Sequence, residues 1–240
     1  MEKFLVTGGA GFIGSNICRK LVSQGCFVRI LDNLITGKKS NLTGVIEKIE
    51  FVEADMGDSE VAHAAMKNID AVLHQGALPS VPRSVDDPAL THKHCVDATF
   101  TLLMAARDAG VKRFVYAASS SAYGDAPTSP KVETMRPNPL SPYAVGKLVG
   151  EYYCSVFCEV FGLETVSLRY FNVFGPYQDP SSQYAAAIPA FVTAILKNQP
   201  PTIYGDGEQS RDFTYIDNVV EANLLAARAK RTKGEVINIA

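Results

Sequence analysis

The chain has 240 residues, 47% hydrophobic and 20% charged, with 23 basic against 25 acidic side chains and a formal net charge of −2. That is ordinary globular composition, and so balanced a charge argues against a nucleic-acid backbone or an anionic membrane as partner. No apolar run approaches the ~20 residues of a membrane helix, the glycine-rich start is unlike a signal peptide, and five cysteines at unpaired spacings suit a reducing compartment, so the protein is expected in the cytoplasm.

Short apolar runs alternate with longer helical patterns along the chain. Strands are expected at 3–7, 27–32, 49–55, 70–75, 113–119 and 165–171, with helices at about 12–24, 58–67, 88–109 and 142–161. The strands read as nearly continuous apolar runs, which suits parallel strands covered by helices on both faces. Alternating β and α units predict right-handed crossovers and an α/β fold of the Rossmann type, a doubly wound parallel sheet. Five prolines between 127 and 142 mark a loop, because proline fixes φ and lacks an N–H. After residue 172 the rhythm weakens. A helix with a proline near its start, short strands around 201–217, a helix at 217–230 and a closing strand "EVINIA" follow. The expected division is a dinucleotide-binding domain over 1–172 and a partial, smaller substrate-binding lobe over 173–240, some of whose elements return to the main sheet. A chain that stops on a strand suggests that further polypeptide follows.

The stretch "VTGGAGFIGSN" lies between the first strand and the first helix. Gly8, Gly11 and Gly14 are three apart, and Gly9, Gly11 and Gly14 also fit G-x-G-x-x-G. Glycine permits a tight turn and close approach of backbone to a pyrophosphate, and the helix N-terminus offers free N–H groups and partial positive charge. Asp32 ends the second strand, eighteen residues beyond Gly14. It can accept hydrogen bonds from a ribose diol and would repel a 2′-phosphate, so NAD is expected rather than NADP. Lys38 and Lys39 lie nearby and could meet a phosphate.

Ser141 is an expected N-cap and Pro142 an expected first helical residue, which puts Tyr143 and Lys147 on one helix face. A free phenol has a pKa of about 10, and making it a base near neutrality takes roughly 3–4 kcal/mol. A nearby lysine cation contributes on that order, so Tyr143 is a candidate general base with Lys147 as its electrostatic partner. Two exposed helix residues are the alternative. Ser119, the first of three serines after a buried strand, can either hydrogen-bond the reacting oxygen or cap a turn. Together the glycine loop, serine and Y-x-x-x-K describe a hydride-transfer site. Cys154 with Cys158, and "HKHC" at 92–95, lack the rest of a tetrahedral set, so no metal is expected.

The motifs "TGGAGFIGSN", "LDNLITG", "VLHQGALPSVPRS", "AASSSAYGD", "NPLSPYAVGK", "LRYFNVFGPYQDP" and "GDGEQSRDFTYID" resemble the extended short-chain dehydrogenase/reductases of the NAD-dependent epimerase/dehydratase family. Within it the chain is most similar to nucleotide-sugar 4-epimerases, above all the UDP-N-acetylglucosamine 4-epimerase branch. The resemblance implies a catalytic base at Tyr143, a nicotinamide-ribose contact at Lys147 and a sugar 4-hydroxyl contact at Ser119. It implies pyrophosphate contacts from Gly8, Gly11, Phe12, Ile13 and Gly14, and adenosine-ribose contacts from Asp32, Asn33 and Gly37. Asp55 and Met56 would flank the adenine, and Gln75, Gly76, Ala77 and Tyr170 would line the cofactor. Ser80 and Ser120 would lie near the sugar, and Asn172, Ala187, Tyr204 and Arg211 would face the UDP part of a UDP-sugar. A homodimer through the helices at 88–109 and 142–161 is also implied.

The chain departs from the family pattern at Cys95 (usually asparagine), Ala98 (glycine) and Pro79 (glycine). Gly146, inside the helix, costs about 1 kcal/mol relative to alanine. The family continues past "VINIA" with a substrate-closing segment. A 4,6-dehydratase or decarboxylase would share fold and cofactor, but its relatives place carboxylates where this chain has Ser120 and Ser121. A UDP-glucuronate 4-epimerase would need the same triad. A non-catalytic NAD-binding sensor, or an inactive truncated product, is the reading of another class.

Overall fold

Every apolar run expected in the first 172 residues forms a parallel strand: β1 (Lys3–Thr7), β2 (Phe27–Asp32), β3 (Glu50–Glu53), β4 (Ala71–His74), β5 (Arg113–Ser119) and β6 (Glu164–Tyr170). The structure is a computed structural model and describes residues 1–179, 187–203 and 205–240. Between the strands run α1 (Phe12–Ser23), α2 (Ser59–Ala65), α3 (Val81–Asp86), α4 (Pro88–His92), α5 (Ala98–Asp108) and α6 (Pro142–Phe161). Beyond residue 171 come β7 (Asn172–Phe174), α7 (Ala187–Leu196), β8 (Phe213–Tyr215), α8 (Ile216–Arg228) and β9 (Glu235–Ile239).

The main sheet has the order β3-β2-β1-β4-β5-β6-β9 and β7 pairs with β8 in a sheet of their own. All pairings are parallel. The strand order reverses between β1 and β4, and a crevice opens there at the carboxyl ends of the strands. Successive side chains point to opposite faces of a strand. Val6, Ile30, Val115 and Leu168 therefore pack against α1 and α8, whereas Leu5, Leu31, Val72 and Phe114 pack against α2, α5 and α6. Although α8 and β9 come from the C-terminal segment, they complete the main layer: α8 covers one face and β9 pairs along β6.

Helix α6 begins where its sequence directs. The Ser141 hydroxyl accepts from the Ala144 N–H at 3.1 Å, with proline at the first helical position. It ends on Gly162, whose φ of +71° suits the left-handed cap. Its internal glycines answer a packing need. A Cβ on Gly150 would lie 2.3 Å from the Tyr116 hydroxyl, and one on Gly146 would lie 3.1 Å from the Cβ of Cys95. The helix-propensity cost at Gly146 thus secures close approach to the segment carrying Cys95.

That segment differs from expectation. Instead of one helix over 88–109, α4 passes through a π-helical turn, Lys93–Asp97, into α5. Cys95 is buried in this turn with its Sγ 4.0 Å from the Leu78 carbonyl. A short helix, α3, precedes it and was not expected. Its N-cap Ser80 has φ +117°, an unusual conformation for a side-chain-bearing residue, and accepts from the Arg83 N–H at 3.3 Å. Strand β3 ends two residues early because the Asp55 carboxylate accepts from the Gly57 N–H at 2.8 Å and turns the chain. Among the described residues no helix is long and apolar enough to cross a membrane, and no group of three or more potential metal ligands forms. All five cysteines are free thiols.

Candidate active site

A cleft of about 900 Å³ follows the carboxyl edge of the sheet. The glycine loop forms its floor. Gly8 has φ +65° and donates its N–H to the Leu31 carbonyl at 2.9 Å. A Cβ on Gly14 would lie 2.2 Å from the Gly8 carbonyl oxygen, so loop and helix can meet only without one. Gly11 starts α1 with no side-chain cap, and the first turn carries no acid. The first-turn N–H groups therefore face the cleft together with the positive end of the helix dipole, as a pyrophosphate requires. Gly11, Phe12, Ile13 and Gly14 all line it.

Asp32 and Asn33 line the next part of the wall. Asp32 is buried; one carboxylate oxygen accepts from Ala10 N–H at 2.9 Å and the other from Leu34 N–H at 2.8 Å. Burial lifts its pKa and these two bonds oppose the rise. Each oxygen keeps a lone pair for a ribose diol. The two nearby lysines are engaged by carboxylates: Lys38 with Asp179 at 2.5 Å and Lys39 with Glu53 at 2.7 Å. The acid and the paired lysines fit a dinucleotide with a free 2′-hydroxyl. Gly37 and Asp55 do not line the cleft. A Cβ on Gly37 would sit 2.9 Å from both Asp32 carboxylate oxygens, and the turn made by Asp55 carries Met56, which does line it. Gln75, Gly76, Ala77, Tyr143, Lys147 and Tyr170 complete this half.

Tyr143 and Lys147 sit on α6, one turn apart, against the end of β5. The Ser119 hydroxyl lies near enough to the Tyr143 phenol to hold its pKa down. Ser119 also accepts from the Ser121 N–H at 3.2 Å and the Ser121 hydroxyl at 2.8 Å. Its acceptor positions are thereby occupied, which leaves its own proton to donate. Of the two sequence readings of Ser119, the structure shows the turn cap. Ser120 opens that turn, and neither it nor Ser119 is in the cleft lining.

Burial governs the electrostatics of this pair. Burial pushes the Tyr143 phenol up, Cys95 adds to the rise, and the Ser119 hydroxyl opposes it. Lys147 is buried, donates to the Ala117 carbonyl at 2.8 Å and stands 5.0 Å over the Tyr116 ring. Burial pulls its pKa down, against the Cys95, Cys154 and Glu151 side chains. Its ammonium is thus anchored on the end of β5. His74, buried between Thr7 Oγ1 at 2.6 Å and Thr99 Oγ1 at 2.9 Å, is pulled down to about 3, by burial and then by the Lys147 charge. It is neutral throughout the physiological range.

Ser80 and Pro79 line the far half of the cleft with Arg83 and His94, two residues given no binding role in the sequence reading. The residues assigned by resemblance to the UDP part are not in its lining. Asn172 donates its side-chain amide to the Asp212 carbonyl at 3.0 Å, Ala187 opens α7 exposed, and Arg211 donates to the Ser210 carbonyl at 2.7 Å. They stand on the β7–β8 sheet and its neighbours rather than on the main sheet's edge. Tyr204 lies outside the described residues.

A Rossmann cleft with a glycine-rich cradle, an acid at the end of β2 and a tyrosine–lysine pair in its wall is the arrangement of an NAD-dependent short-chain dehydrogenase/reductase. More narrowly, the chain belongs to the NAD dependent epimerase/dehydratase family, whose model matches residues 4–240. It is 39% identical to a UDP-glucose 4-epimerase of Mycolicibacterium smegmatis, over 91% of this chain and 71% of that one. Its fold matches the UDP-N-acetylglucosamine 4-epimerase of Methanobrevibacter ruminantium M1, solved with UDP-N-acetylmuramic acid. The TM-score is 0.95 at 42% identity, covering 100% of this chain and 76% of that one. A UDP-glucuronic acid 4-epimerase of Bacillus cereus, solved with UDP-glucuronic acid and NAD, matches with a TM-score of 0.89 at 35% identity, covering 99% and 77%.

Proposed function

We infer that this chain, an NAD-dependent UDP-sugar 4-epimerase, takes UDP-N-acetylglucosamine and UDP-N-acetylgalactosamine as its exchange pair, with UDP-glucose and UDP-galactose as a possible second pair. The single observation that carries the chemistry is the placement of Tyr143 and Lys147, one turn apart on α6, in the lining of a dinucleotide cleft. NAD held there by the glycine loop and Asp32 would supply the hydride acceptor and donor for C4 of the sugar. Tyr143 takes the 4-hydroxyl proton on its phenolic oxygen and gives it back. Ser119 would hydrogen-bond the sugar 4-hydroxyl, and the positive charges of Lys147 and an oxidised nicotinamide would favour the phenolate form in which Tyr143 can accept the proton. Lys147, fixed on the Ala117 carbonyl, keeps two ammonium protons for the cofactor's ribose. The hydroxyls of Ser120 and Ser121 cannot protonate a departing hydroxide well, which favours epimerisation over dehydration.

UDP-glucuronate is the second reading, favoured by Arg83 in the cleft wall, where a uronate would bring a carboxylate. Incubation with UDP-N-acetylglucosamine, UDP-glucose and UDP-glucuronate, with no added cofactor, separates these. The N-acetyl sugar should give the highest kcat/KM. A higher value for the uronate overturns the substrate assignment. Bound NAD with no 4-epimer from any of the three overturns the enzyme reading in favour of a sensor.

The same reading includes a homodimer. Phe100 on α5 and Val145, Tyr152, Val156 and Val160 on α6 are exposed, and residues 152, 156 and 160 share one helix face. Sedimentation at micromolar concentration should give twice the 25.9 kDa chain mass; a monomer mass refutes the dimer.

A further inference from the structure

We propose that Asn223, a buried residue of α8 outside the cleft, is a positioning residue for the cofactor and acts through Gln75 and Tyr170. The three side chains form a closed ring of hydrogen bonds. Asn223 Nδ2 donates to the Tyr170 hydroxyl at 2.7 Å, the Tyr170 hydroxyl donates to Gln75 Oε1 at 3.1 Å, and Gln75 Nε2 donates to Asn223 Oδ1 at 3.0 Å. Each member donates once and accepts once, so the bonds polarise one another in the same sense. The second N–H of Asn223 is anchored on its own helix, at the Val219 carbonyl, 2.7 Å away.

Asn223 has no exposed surface, whereas Gln75 and Tyr170 both line the cleft. The ring dictates which end of the Gln75 amide is which. Its Oε1 must face Tyr170 and its Nε2 must face Asn223. One N–H and one lone pair of the amide stay available to whatever fills the cleft. Without Asn223 the amide could rotate and exchange its donor and acceptor ends, and the Tyr170 hydroxyl would lose the donor it accepts from. The ring also joins three elements distant in sequence: β6, the residue after β4, and the helix that arrives from the C-terminal segment.

Docking of α8 and order in the cofactor cleft are therefore linked. A buried amide that only filled space would affect stability and leave the cofactor alone. The inference rests on NAD occupying this cleft and is independent of which sugar is turned over.

The test measures the NAD dissociation constant by calorimetric titration of stripped protein, together with the NAD content as purified. Asn223→Leu should weaken NAD about 10-fold, equivalent to about 1.4 kcal/mol. Tyr170→Phe should weaken it comparably. The double variant should be no more than modestly worse than either single one, because both break the same ring. The KM for the UDP-sugar should stay within about twofold, as expected of a group that acts on the cofactor side. If Asn223→Leu does not fold, Asn223→Ser is held to the same criteria. An NAD affinity within twofold of the parent while the melting temperature falls, or losses that multiply in the double variant, overturns the proposal. Failure of the parent protein itself to bind NAD would instead sink the cofactor reading of the cleft.

Discussion

Replacing Tyr143 by phenylalanine is expected to lower kcat by ~10³-fold, or roughly 4 kcal/mol in the barrier, while leaving NAD bound. The variant removes one oxygen from a half-buried ring. Ser119 keeps both hydrogen bonds from Ser121, so the end of β5 stays in place. The lysine is also undisturbed, because its anchor is the Ala117 carbonyl and not the phenol. Stability should change little and the bound NAD should match the parent, whereas conversion of the 4-hydroxyl loses its proton acceptor. NAD content, melting temperature and 4-epimer formation measured on one preparation separate these effects. Residual activity above a tenth of the parent would mean that another group takes the proton.

How far the sequence speaks for this site depends on the range of each interaction. The glycine loop, Asp32 and the start of α6 are local: a turn, a strand end and a capped helix, each set by residues within a few positions of one another. They were legible for that reason. The Y-x-x-x-K spacing correctly put Tyr143 and Lys147 on one face, but it carried no information about where the ammonium points. That is decided by a carbonyl thirty residues upstream, at Ala117. The same limit hides Asn223, whose partner Gln75 is 148 residues away. An asparagine in "EANLLAA" reads as one more polar residue on an amphipathic helix.

Two misses are local and have a different cause. Helix α3 is six residues long, with a proline at its start and an N-cap in an unusual backbone conformation, so neither periodicity nor propensity announces it. The π-helical turn at Lys93–Asp97 interrupts a pattern that reads as continuous helix. Its sequence cue was present and unassigned: Gly146 lies on the facing helix, where a Cβ would crowd Cys95. Reading the two together needed the fold.

The second large effect is expected at Gly14. Alanine there would put a Cβ 2.2 Å from the Gly8 carbonyl oxygen and 2.7 Å from the Gly9 Cα, both backbone atoms. A flexible side chain could swing away from such a contact, but the turn cannot. Gly8 is already in the left-handed region, and a Cβ on Gly8 would meet Gly76 at 2.7 Å, so the loop is confined on its other side too. The strain must therefore be relieved by moving the start of α1 away from the loop. Overpacking of this kind costs roughly 1–3 kcal/mol, which for a chain of this size lowers the melting temperature by roughly 2–12 °C. Binding should suffer more than stability, because the displaced groups are the first-turn N–H donors that the pyrophosphate needs. A loss of ~100-fold in NAD affinity, or roughly 2.7 kcal/mol, is expected. The purified variant should carry little NAD and regain activity only at high added cofactor. Gly14→Ala protein that purifies with a full complement of NAD would show that the pyrophosphate does not sit on this loop, and the cleft would need a different occupant.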